Sequence, residues 1–189
     1  MSKTDSIPVV PDVDSIVAER YHLLDIISYE PHCTVFRAHD TRRDRFLDVA
    51  VYDDKHRQQH DARVAVLENL HHPGLCNLVD HGWDQRGPYL VYERAAGCSL
   101  RQWLTQHGRL SVSQFASSLT QVLLAVSHVH AAGLVHRAVS PDTVFVDGDV
   151  GRTTKVKLTA VHGCVRAGEL APPGTLSSQD SLAIRVCQF

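Results

Sequence analysis

The chain has 189 residues, 43% hydrophobic and 21% charged, and its 19 Lys and Arg against 21 Asp and Glu leave a formal net charge of −2. This composition excludes wholesale disorder, provides a sizeable core for one domain or a small domain with a tail, and argues against nucleic-acid binding driven by bulk charge. No apolar run approaches the roughly 18 residues of a membrane span, and the opening MSKTDSIPVVPDVDS lacks a signal-peptide core.

Residues 1–17, with two prolines and no periodicity, read as a flexible tail. Strand-like runs follow at Tyr21 to Ile27, Cys33 to Ala38 and Asp48 to Tyr52, with Pro31 marking a turn between the first two. Arg57 to His71 reads as a helix stopped by Pro73. Leu75 to Asp80 and Tyr89 to Glu93 read as two further strands joined by a long turn. Beyond Gly97 the pattern becomes helical. Ser99 to His107 is a short helix. Ser111 to Ala131 is a long one, with an S-x-x-Q capping box and Gly133 just past its end. Its apolar stripe is Val112, Phe115, Ala116, Leu119, Val122, Leu123, Val126 and Val129. Short strands at Val144 to Val146 and Val156 to Thr159 close the pattern, before Pro172-Pro173 and a last apolar piece. The order predicts an α+β fold, an antiparallel sheet first and helices after.

Five scattered cysteines without a CxxC pair read as free thiols in a reducing compartment, so a cytoplasmic location is expected. Histidine is frequent, 13 in all, yet His128 and His130 at i, i+2 diverge on a helix and no spacing suits a zinc module. No metal site is expected.

Five collinear stretches resemble a known family. ERYHLLDIISYEPHCTVFRAHDTRRDRF resembles the opening of a bacterial Ser/Thr protein kinase domain, and HHPGLCNLVDHG the segment after its first helix. PYLVYERAAGCSL resembles its hinge, HAAGLVHRAVSPDTVFVD its catalytic loop and KVKLTAVHG its metal-binding segment. The resemblance implies an antiparallel five-stranded N-lobe with one helix over residues 18–94, then an incomplete, mainly helical C-lobe over 95–189.

Phosphoryl transfer needs a phosphate cradle, a cation, a base and metal ligands. At the family's positions this sequence departs from each. The three glycines of the cradle become Ser28, Glu30 and Cys33, with Pro31 removing a further N–H. Tyr52 replaces the phosphate-gripping lysine and Arg63 the glutamate that pairs with it, so that a stacked pair is expected there. Ala138 replaces the catalytic aspartate, Ser140 the usual lysine, and Thr143 and Ala160 the two magnesium ligands. Ile27, Val35, Ala50, Glu93 and Phe145 match the walls of the family's adenine pocket. Leu67, Leu78, His136 and Val161 match the side-chain stack that joins its lobes. Ala171-Pro172-Pro173 and Asp180 to Ala183 match late motifs, after which little of the helical lobe remains.

The resemblance therefore implies a pseudokinase that works by binding a protein partner or a second copy. Bound ATP is expected to be weak or absent, and independent of magnesium. The alternatives are an atypical ATP-binding kinase and a truncated remnant of a larger domain.

Overall fold

The computed structural model describes residues 12–30, 33–52, 57–148 and 155–166, in two compact units: one up to Asn69 together with Leu78–Arg94, the other formed by Leu70–Asn77 and the chain from Ala95. The motifs from Ala171 to Pro173 and from Asp180 to Ala183 lie outside the described residues, as do Pro31, Lys55 and Cys187.

In the first unit the strands are β1 (Ile16–Val17), β2 (Tyr21–Glu30), β3 (Cys33–Asp40), β4 (Arg45–Tyr52), β5 (Leu78–Asp84) and β6 (Gly87–Glu93). They form one sheet in the order β1-β2-β3-β4-β6-β5, every neighbouring pair antiparallel. Six strands thus stand where five were expected. The added one lies in the expected tail: Val17 pairs with Tyr21 and is fully buried. Two residues are too few for a period-2 signal. The long turn expected before Tyr89 is also shorter, because β5 and β6 run on until Asp84 faces Gly87.

Pleating sorts the side chains. One face carries Leu23, Phe36, Ala38, Leu47, Val49 and Val91, packed with Tyr21 and Val17 as a core. Residues directly opposite each other across strands share a face, so Cys33–Tyr52 and Val35–Ala50–Leu90 lie together on the other. Burying one such large apolar side chain stabilises the fold by about 1.5–3 kcal/mol.

Arg20 fixes one end of this sheet. Its Nε and Nη2 donate to the two carboxylate oxygens of the fully buried Asp40 at 2.8 and 2.7 Å, and its Nη1 to Asp80 at 2.9 Å. The Tyr21 hydroxyl donates to the same Asp80 oxygen. The Arg20 hydrogen bonds hold the Asp40 carboxyl down at about 2, although burial works the other way. Nearby, the Ala18 amide donates to Asp84 at 2.8 Å, and Arg86 reaches Ser15 Oγ at 3.4 Å.

Helix α1 (Arg57–Leu67) ends four residues sooner than expected. The Asn69 side chain donates to the Ala65 carbonyl at 3.0 Å and takes over an acceptor of the last turn. His71 and His72 therefore lie beyond the helix.

In the second unit β7 (Cys98–Ser99) leads into α2 (Leu100–His107), and α3 (Val112–Ala131) is followed by β8 (Leu134–Val135). Then come β9 (Val144–Asp147), β10 (Lys155–Leu158), a 3-10 turn at Val161–Gly163 and β11 (Val165–Arg166). Both helices begin with the reciprocal capping box, Ser99 with Gln102 and Ser111 with Gln114. Gly133, at φ +73°, reverses the chain after α3. The strands form a sheet in the order β10-β9-β7, and β11 pairs with β8. Gly97, at φ +79°, crosses β9 so closely that a Cβ there would stand 2.0 Å from the Val146 carbonyl oxygen.

The buried seam of α3 keeps only one end of the expected stripe, Val129 buried with Val122 and Val126 half-buried. Ser118, Ala125 and Val129 are buried, whereas Val112, Phe115, Leu119, Leu123 and Leu124 are exposed. Small side chains let the helix approach β10, where Gln121 Oε1 accepts the Val156 amide at 3.1 Å. Its larger apolar residues thereby fall on the far side.

Candidate functional site

Tyr52 ends β4, and alternation turns it to the same face as Cys33, its register partner on β3. Helix α1 brings Arg63 over the Tyr52 ring, 5.4 Å from guanidinium carbon to ring centroid. The expected stacked pair is present, and a side-chain hydrogen bond joins the two. Burial, above all, pushes the Tyr52 phenol up, so it stays un-ionised near neutral pH. Burial opposes the charge on Arg63, but Tyr52 first, then Tyr92 and Cys33, outweigh it and raise its pKa. Arg37 on β3 is engaged with Asp25 on β2.

Of the five residues matched to an adenine pocket, Val35 and Ala50 face each other across β3 and β4 and are buried. Ile27 falls in the register shift between Ile26 and Ser28 and is 48% exposed. Glu93 is half-buried at the end of β6, in register with Leu47. These four belong to the first unit. Phe145 belongs to the second, half-buried on β9 in register with Lys157. Of the four stack residues, Leu67 is buried and Leu78 half-buried in the first unit, and His136 and Val161 are buried in the second.

The loop after β8 closes on itself. The Ala138 amide donates to His136 Nδ1 at 3.3 Å, and Arg137 is held at φ +66°. Thr143 Oγ1 donates to the Ala138 carbonyl and accepts the Ser140 amide at 3.0 Å. Its own carbonyl accepts both the amide and the hydroxyl of Thr159, at 2.9 and 3.0 Å. The Thr143 hydroxyl is therefore occupied inside the loop. Ala160 follows at φ +61° and carries no oxygen on its side chain. Of the nearby carboxylates, Asp142 bonds Arg101 at 2.6 Å, which lowers its pKa, and Asp147 is exposed at the end of β9. Among the described residues no group of three His, Cys, Asp or Glu could hold a metal ion. Of the five cysteines, the four described are in no disulfide, and no described helix is long and apolar enough to cross a membrane.

Cys33, at a cradle position of the family pattern, is hydrogen-bonded to Tyr52, whereas His60, whose ring centroid lies 6.0 Å from that of Tyr52, has no counterpart in that pattern. The signal for His60 was its spacing, since His60, Val64 and Leu67 recur one helical turn apart.

Residues 33–162 match the family model described as protein kinase domain. The serine/threonine-protein kinase PknA of Mycobacterium tuberculosis is 32% identical over 173 residues, spanning 86% of this chain and 39% of the relative. PknL of the same species is 31% identical over 150 residues, covering 74% and 37%. The chain thus spans less than half the length of these curated relatives. Among solved structures, Rad53 in complex with AMP-PNP superposes with a TM-score of 0.63 at 23% identity, over 74% of this chain and 38% of that one. The PknI kinase domain of M. tuberculosis gives 0.60 at 18% identity, over 80% and 63%.

Proposed function

The chain belongs to the protein kinase domain family, and from that premise we propose that it is a non-catalytic member that acts by binding another protein chain. One observation carries the reading. The loop that should position a base and a metal ligand offers Ala138 at the first place, and at the second a Thr143 hydroxyl already occupied by Ala138 and Ser140. Tyr52 and Arg63 supply a neutral ring and a cation where a lysine and a glutamate would hold the phosphates. A missing base alone lowers rates by about 10²–10⁴-fold. Here cradle, base and metal ligands go together. The N-lobe and C-lobe limits near residues 94 and 95 belong to the same proposal.

Purified chain with ATP, magnesium and a generic protein substrate will transfer no phosphate above background. Ala138→Asp alone will not restore transfer, because Thr143 and Ala160 still leave the metal without ligands. Turnover that disappears in a pocket variant of unchanged stability would overturn the proposal.

Exposed apolar side chains on α3 support the binding half of the reading. Val112, Phe115, Leu119 and Leu123 lie on one side of a helix that carries no Asp, Glu, Lys or Arg along its length. Soluble proteins rarely expose such a face without a partner. The face will bind an apolar dye, and the double variant Phe115→Glu, Leu119→Glu will lose most of that binding and any self-association seen by light scattering. Equal dye binding by both proteins would remove this support.

The second reading is a metal-independent nucleotide site. Val35 and Ala50 keep the apolar row that such a base would rest on, and the related fold of Rad53 is known with AMP-PNP. A magnesium-independent thermal shift with millimolar ATP would favour it.

A further inference from the structure

Among the described side chains of α1, three a turn apart are buried, His60, Val64 and Leu67, at 4%, 7% and 1% exposure. Two are aliphatic. The third is an imidazole enclosed by rings, 6.0 Å from Tyr52 on β4 and 5.3 Å from Trp83 on β5, edge-on to each. Among the described residues neither of its nitrogens has a hydrogen-bond partner. A neutral imidazole carries one N–H and one lone pair, whereas the protonated ring carries two N–H donors and a full charge. This pocket packs the ring as an apolar body and, among the described residues, offers no acceptor for either donor. Protonation there places an uncompensated charge among aromatic edges.

We propose that His60 is a pH-operated latch for α1: the neutral ring keeps the helix seated on β4 and β5, and uptake of a proton releases the N-terminal part of the helix. The proposal stands apart from any reading of catalysis or partner binding.

The charges around the ring are mixed. Burial has the largest influence and holds the His60 pKa below the ordinary value of 6.5. From α1 itself, Asp61 favours the proton and Arg63 opposes it; from β5, His81 opposes it. From β4, Tyr52 faces the ring un-ionised. Asp61 is exposed, so solvent screens the one favourable charge. The seated ring therefore binds a proton less readily than the released one. Seating is at full strength above pH 6.5 and weakens as pH falls below that value. The loss is up to about tenfold in the seating equilibrium per pH unit, until the seated ring itself titrates. Just past the other end of the helix, His81 Nε2 lies 2.8 Å from Glu68 Oε1.

The test is amide exchange across α1 in the full chain at about pH 5.5 and 7.5, corrected for intrinsic exchange, with an NMR titration of the His60 ring. Protection should fall at the lower pH by up to about tenfold per unit below the ordinary histidine value. His60→Phe, which keeps a ring and removes the titration, should make protection independent of pH, whereas His81→Gln should retain the pH effect. A His60 ring titrating at or above 6.5, or equal protection in the wild type at both pH values, would overturn the latch. The wild-type titration decides the matter even if His60→Phe does not fold.

Discussion

Tyr52→Lys will destabilise the protein by about 3–5 kcal/mol, the range for leaving one buried charge uncompensated. The substitution restores the residue that the family uses, yet here it lands in a site shaped for a neutral ring. Tyr52 is buried, and the Arg63 guanidinium is stacked on it. A lysine ammonium would lose its hydration and face a like charge. Arg63→Glu alone will also destabilise, because a carboxylate would then lie against the Tyr52 phenol and the Cys33 thiol with no cation. Tyr52→Lys combined with Arg63→Glu should regain much of the loss, since the family's opposite-charge pair then forms. Urea melts of the four proteins give the coupling directly. A Tyr52→Lys protein as stable as the wild type, or a double variant no better than the sum of the singles, would show that the pair does not act as a unit.

The second large effect lies at Asp40, and it depends on pH. Asp40→Ala removes the acceptor for two Arg20 hydrogen bonds and leaves a mostly buried guanidinium with Asp80 alone, at an expected loss of about 3–5 kcal/mol near neutral pH. Because the native carboxyl titrates at about 2, below its ordinary value of 3.8, its contribution is complete above 3.8 and disappears as pH falls through about 2. Linkage assigns about 2 kcal/mol to that interval. Asp40→Asn should therefore lie closest to the wild type in strong acid and diverge from it as pH rises from about 2 to about 4, with no further divergence above. A constant difference between the two proteins from pH 2 to 7 would contradict the assignment to this carboxylate.

Local chemistry was legible in part. Apolar runs placed β3 and β4, although β4 begins three residues earlier than expected, and the S-x-x-Q box at Ser111 fixed where α3 begins, whereas the matching box at Ser99 was not read from the sequence. Strand β1 escaped notice because two residues carry no period, and what holds Val17 in the sheet is its pairing with Tyr21. The β5 boundaries shifted for a related reason. His81, Trp83 and Asp84 look like turn residues, but Asp80 and Asp84 are held there by Arg20, Tyr21 and the Ala18 amide, some 60 residues earlier. On α3 the sequence marks the largest apolar residues, whereas close approach to β10 selects the smallest, Ser118 and Ala125. At the candidate site the Tyr52–Arg63 stack was readable from two positions in the family pattern. The closed hydrogen-bond loop around Thr143 was not, because it depends on the turn that brings the Ala138 carbonyl to a hydroxyl five residues later.

The bonds from Ala18 to Asp84, from Arg20 to Asp80 and from Arg86 to Ser15 join the first strands of the sheet to its last, so the curled sheet fastens across its own ends. During synthesis this has a timing consequence. Strands β1 to β4 can pair as soon as they emerge, and Asp40 then meets its two Arg20 donors, but Arg20 Nη1, the Tyr21 hydroxyl and the Ala18 amide wait until the segment from Asp80 to Arg86 leaves the ribosome. Contacts between residues so far apart in sequence are slow to form, because loop closure must come before any gain from pairing. Until β6 pairs with β4, the outer side of β4 is an unpaired edge on which a second nascent chain could add a strand.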